Sequence, residues 1–118
     1  MKKIYYLSTC DTCKRILNQL SPLNDFDLVD IKIQNIDEKS LDFVAQKMGS
    51  YEALFSKRAM KYKSLGLDKI QLSEEDYKNW MLKEYTFLKR PFIIVNDQVF
   101  VGNSAKTVEA AKSMIHHN

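Results

Sequence analysis

Short apolar runs and helix-period stripes alternate along this chain in an order that predicts its elements. Lys3 to Leu7 reads as a first strand, with the apolar stretch Ile4 to Leu7 at its centre. Cys13 to Leu20 reads as a helix: Ile16, Leu17 and Leu20 share one face, and Lys14, Arg15, Asn18 and Gln19 the other. Ser21-Pro22 ends it, and Phe26 to Ile31 alternates apolar and acidic residues as a second strand. The middle is helical. Asp37 is placed to cap a helix reaching about Met48, with Leu41, Val44, Ala45 and Met48 inward and Gly49 as its stop. A short helix is expected around Tyr51 to Phe55, then a basic turn, Ser56-Lys57-Arg58, and a short helical turn in Tyr62 to Leu67 that glycine ends. Ser73-Glu74-Glu75-Asp76 is a helix start, a hydroxyl cap with acidic residues in the first turn. Tyr77, Trp80, Met81 and Glu84 follow at helical spacing, and the aromatic stripe reads as core packing. Phe92 to Val95 is the dense apolar run of a buried strand. Asn96-Asp97 turns it into Gln98 to Val101, and Gly102-Asn103-Ser104 opens a last helix, Ala105 to Ile115.

The predicted order, βαβ, then helices, then ββα, is an α/β plan: a four-stranded mixed sheet with a helical insertion, about residues 37–88, between strands two and three. A length of 118 residues gives one domain by the size prior, here residues 1–118 as a whole. With two prolines and three glycines there is no linker, and no stretch approaches the ~20 apolar residues of a membrane span. The formal charge of +3 permits an anionic substrate or an acidic partner, without pointing to direct nucleic-acid binding. No apolar stripe is left over once the core helices are assigned, so a monomer is expected.

The candidate chemistry lies in Cys10-Asp11-Thr12-Cys13, which holds the only two cysteines and follows the first strand through Ser8 and Thr9. Cys10 falls at or just before the first helical turn, where unpaired N–H groups and the helix dipole favour an anion such as a thiolate. Other readings stand beside this one. A closed zinc site needs two more soft ligands, and only His116 and His117 are candidates. No secretory signal precedes the motif, which argues against a structural disulfide and, with the dithiol, for the cytoplasm. Two incidental buried cysteines are the remaining alternative. Cytosolic Cys-x-x-Cys beside a βαβ pattern most often marks redox chemistry. Pro91, opening strand three opposite the thiol helix, fits a cis Arg90-Pro91 bond, with an ordinary trans strand-edge proline as the other reading.

Taken together, these marks resemble the arsenate reductase/Spx family of thioredoxin-like proteins over nearly the whole chain. The resemblance rests on Tyr6-x-x-x-Cys10-x-x-Cys13-Lys14, on Tyr62-x-x-Leu65-Gly66-Leu67, and on Leu88-Lys89-Arg90-Pro91-Phe92-Ile93-Ile94-Val95 followed by Val101-Gly102. It implies a thioredoxin-like fold, Cys10 as the reactive thiolate, Arg90 as the group that binds an oxyanion and steadies the thiolate, and Pro91 as the wall facing it. It also implies no bound cofactor and no metal, a small oxyanion or disulfide substrate, and glutathione, thioredoxin or glutaredoxin as electron donor. The chain departs from the glutathione-dependent arsenate reductases, which carry one active-site cysteine and three arginines. Their first arginine aligns with Ser56, while Arg58 matches the arginine position of the Spx branch and of uncharacterised reductase-like relatives; from its turn Arg58 is expected to reach the thiol and bind substrate, with a solvated surface charge as the other reading. Their third falls around Gly102-Asn103 and is missing. Cys13 is then the expected resolving thiol, closing a Cys10–Cys13 disulfide, with a glutathione cycle on Cys10 alone as the other route. The Spx branch implies a different role, a redox switch that binds the RNA polymerase α-subunit. In that role the end Met114-Ile115-His116-His117-Asn118 stands in place of the branch's basic terminus.

Overall fold

A computed structural model describes residues 1–116 of the chain; of the pair weighed above as zinc ligands, His117 lies outside the described residues. The chain divides into two compact units, residues 1–34 with 90 onward, and Asn35–Lys89.

The first unit is built on β1 (Lys2–Tyr6), α1 (Asp11–Leu20), β2 (Asp27–Asp30), β3 (Phe92–Val95), β4 (Gln98–Val101) and α5 (Ala105–His116). Its four strands form one mixed sheet in the order β2-β1-β3-β4. β2 runs parallel to β1, as a βαβ connection through α1 requires, and β3 and β4 are antiparallel. Side chains alternate across the sheet. Ile4, Ile93 and Val95 lie on one face and are buried against Ile16 and Leu20 of α1 and Val108 and Ala111 of α5. Tyr5, Phe92 and Ile94, on the other face, are buried as well. The chain therefore needs apolar residues at consecutive positions of β3, and Phe92 to Val95 supplies them. The β3–β4 hairpin turns at Asn96, whose φ of 59° lies in the left-handed region that asparagine tolerates better than most residues. His116 Nε2 donates to the Leu20 carbonyl at 2.7 Å, joining the C-terminal ends of α5 and α1.

The second unit occupies the place expected for the helical insertion. It carries α2 (Glu38–Met48), α3 (Met60–Ser64) and α4 (Glu74–Lys83), with single 3₁₀ turns at Glu52–Leu54, Leu67–Lys69 and Tyr85–Phe87. The caps are those the sequence signals: Asp37 accepts the Ser40 N–H, and Ser73 and Asp76 form a reciprocal capping box. Asn35 Nδ2 donates to the Met81 and Leu82 carbonyls, which the end of α4 leaves without helical partners. Phe55 is the hub of an aromatic cluster, stacked on Phe87 at 4.8 Å and edge-on to Tyr77 at 5.0 Å. Met48 is the correction here. Expected inward, it is 39% exposed, because it is the last residue of α2 before the chain turns through Gly49.

Ile93 is fully buried in the sheet core, whereas Ile33 is 85% exposed. Ile93→Ala is expected to lower unfolding free energy by about 2–5 kcal/mol, and Ile33→Ala to change it by less than about 0.5 kcal/mol. Equilibrium urea denaturation of the two variants checks the contrast.

Candidate active site

Cys10, Cys13, Arg90 and Pro91 all belong to the first unit, at the end of the sheet where β1 runs into α1 and the chain enters β3. β1 and β3 pair as Ile4 with Ile93 and Tyr5 with Phe92. Continued by two residues, that register sets Pro91 beside Tyr6 and Arg90 beside Leu7. The β3–β4 pairing continues in the same direction, with the Gly102 N–H donating to the Pro91 carbonyl at 3.0 Å. The Arg90–Pro91 bond is cis, as its place opposite the dithiol led us to expect; Ser21–Pro22 is cis as well.

Cys10 is the N-cap residue of α1, so the helix begins at Asp11, two residues earlier than the apolar stripe suggests. Its backbone closes the turn from β1: the Cys10 N–H donates to the Leu7 carbonyl at 3.0 Å, and the Cys10 carbonyl accepts from Lys14 at 3.2 Å. The Cys10 side chain forms no capping hydrogen bond of ordinary length.

The two thiols, both reduced, sit in opposed environments. Burial alone would raise the pKa of Cys10. The Cys13 N–H and thiol and the Arg90 guanidinium, by hydrogen bond and by charge, more than offset it, and the pKa lies below the ordinary thiol value. Cys13 is fully buried on the inner side of α1, and desolvation is the main reason its pKa is pushed up to about 11. A backbone hydrogen bond at Leu7 opposes that rise, and the charge of Cys10 reinforces it. A partly exposed, more acidic thiol beside a buried thiol that holds its proton is an arrangement that can attack first with one sulfur and resolve with the other.

The ArsC family model matches residues 5–111. The chain belongs to the ArsC family. Its fold is shared with solved structures: an arsenate reductase candidate from Yersinia pestis (TM-score 0.80, 18% identity, covering 93% of this chain and 99% of that one); an arsenate reductase from Vibrio cholerae (0.78, 19%, 96% of each); and a possible arsenate reductase from Streptococcus mutans (0.72, 25%, 89% and 92%). At these identities the likeness shows the thioredoxin-like fold. No curated protein matches the chain.

Within this ArsC-family chain the remaining expected site residue, Arg58, lies in the second unit, on an exposed turn just before α3. The position of the third family arginine is occupied by Gly102, at φ 96°, and exposed Asn103. Asp30 joins the site through Ser8, a link the sequence alone does not indicate. The Asp30 carboxylate accepts the Ser8 N–H at 3.2 Å, and the Ser8 hydroxyl also donates to it. The signal is indirect: an acidic residue ends the strand that runs parallel to β1, level with the turn that leads to Cys10. Among the described residues no three His, Cys, Asp or Glu side chains converge on a metal position, and no helix is long and apolar enough to cross a membrane.

Arg90→Ala is expected to raise the Cys10 pKa towards that of free cysteine, shifting the pH profile of iodoacetamide alkylation to higher pH. Cys13 gives a second pH signature. Its pKa is raised on folding, so its proton stays on the native protein while the unfolded chain loses it, and stability falls as pH rises from 9.0 through about 11. Denaturation across that window is expected to show a smaller loss for Cys13→Ala than for the parent.

Proposed function

We propose that the protein is a cytoplasmic thiol oxidoreductase that reduces an oxyanion of the arsenate type, with Cys10 as nucleophile and Cys13 as resolving thiol. The observation that carries the reading is the opposed setting of the two sulfurs: a partly exposed Cys10 made more acidic beside Arg90, and a buried Cys13 that holds its proton. ArsC membership supports the reaction class. The first step is attack of the Cys10 thiolate on As(V), which releases an oxygen as water or hydroxide and leaves a Cys10–S–As bond. Arg90, and by our assignment Arg58 and the wall formed by Pro91, offer charge and shape to the bound oxyanion.

Resolution follows from the electrostatics. At pH 7 only ~10⁻⁴ of a thiol with a pKa of about 11 is ionised. Once Cys10 is covalently bound it no longer carries the charge that helps hold the Cys13 pKa up, and the positive field of Arg90 falls to Cys13. Cys13 then loses its proton and attacks the Cys10 sulfur. The S–S bond forms, the S–As bond breaks, and arsenic leaves with the electron pair as As(III), two thiols having been oxidised to one disulfide. An external dithiol, thioredoxin or glutaredoxin with glutathione, returns two electrons. A disulfide substrate follows the same path, with its first half leaving as a thiolate and its second released by Cys13.

Purified protein supplied with arsenate is expected to turn over with thioredoxin or glutaredoxin as reductant. Cys10→Ser should abolish turnover, and Cys13→Ser should abolish the thioredoxin-linked part. No turnover with either donor, in protein whose Cys10 alkylates readily, overturns the arsenate reading. The dithiol and the Arg58 register support the regulatory alternative. Its test is whether oxidised and reduced protein capture the C-terminal domain of the RNA polymerase α-subunit.

A further inference from the structure

The main-chain ladder between β1 and β2 stops just short of the nucleophile. Its last bond runs from the Ile31 N–H to the Tyr6 carbonyl at 2.8 Å, and its last residue pair is Tyr6 with Asp30. Beyond Tyr6 lie Leu7, Ser8, Thr9 and Cys10, a turn with no strand beside it. Turns of this kind are usually the mobile part of a fold. Here the turn is fastened by one side chain. Asp30 Oδ1 accepts the Ser8 N–H at 3.2 Å and the Lys32 N–H at 3.2 Å, and the Ser8 hydroxyl also donates to the carboxylate. Ser8 adjoins Leu7, whose carbonyl takes the Cys10 N–H and whose backbone is hydrogen-bonded to Cys13. Asp30 therefore holds, through one residue, the peptide to which both cysteines are tied.

We propose that Asp30 is a positioning residue for the Cys10 nucleophile, its Oδ1 atom extending the β1–β2 ladder by one side-chain bond so that Cys10 is held at the N-terminus of α1 beside Arg90. The inference rests on Cys10 as the reacting thiol and is independent of the substrate. A carboxylate is needed for its oxygen acceptors and not for its charge, since a negative charge near Cys10 opposes thiolate formation. Both backbone N–H groups go to the same oxygen, and asparagine retains an equivalent one.

Two substitutions separate the roles, read by the rate of Cys10 alkylation at pH 7 in a Cys13→Ser background, so that failure to reduce arsenate leaves this test intact. Asp30→Ala is expected to slow alkylation roughly three- to tenfold, because the loosened turn places the sulfur less often against the N–H and guanidinium groups that favour its anion. Asp30→Asn is expected to stay within about twofold of the parent. If both variants speed alkylation, Asp30 acts as a charge; if neither changes it, the turn holds without Asp30; either result overturns the proposal. Should Asp30→Ala fail to fold, amide hydrogen exchange on the unaltered protein decides: the Ser8 N–H is expected to be protected more than its neighbour Thr9, and equally fast exchange at the two overturns the proposal.

Discussion

The pairing of β1 with a strand on each side is the constraint from which the site follows. β1 lies between β2, which reaches it through α1, and β3, which returns from more than eighty residues further along the chain. The parallel pairing sets where the chain must leave the sheet to enter α1, and hence where Cys10 stands. The antiparallel pairing sets which end of β3 arrives at that exit, and Arg90-Pro91 is that end. A slip of one residue in either register would exchange the two faces of the strand and carry Ile4 and Ile93 out of the core. Burial of those residues thus holds the guanidinium and the thiol together without any direct bond between β3 and α1 being required.

How much of this was legible in the sequence depended on the range of the interactions. Local chemistry was plain: the Asp37 and Ser73 caps, the Asn96-Asp97 hairpin and the helix stripes all have causes within four residues of themselves. The dithiol and Arg90-Pro91 were legible because their residue types are rare and their order along the chain is specific. Met48 was misread because periodicity continues to the end of a helix while burial does not. The link between Asp30 and Ser8 is not legible for a different reason. They are common residues, separated by about twenty positions, and only the β1–β2 register brings them level. The apolar stripe alone begins α1 at Cys13, because Asp11 and Thr12 carry no apolar signal, whereas the motif's place after the strand puts Cys10 at the helix start, where it is the N-cap.

The two cysteines illustrate how a short spacing on a helix produces unlike groups. Cys10 at the cap faces the mouth of the strand–helix turn, while Cys13, one turn further, points into the α1–sheet interface and is fully buried. Ile16 and Leu20 continue the same buried stripe. Cys13 is thus also a core residue of its helix, and its protonation is tied to the packing of α1 on the sheet.

Gly102 and Asn103 stand where the resemblance to the glutathione-dependent reductases would place a third arginine. A Cβ built on Gly102 would meet nothing within 4 Å, so room is available where a third guanidinium would start. The obstacle is the backbone: at φ 96° any L side chain is strained, by roughly 1–2 kcal/mol. A side chain at position 102 would have to be carried against the backbone conformation whose N–H bonds to Pro91, whereas the exposed Asn103 beside it already carries one.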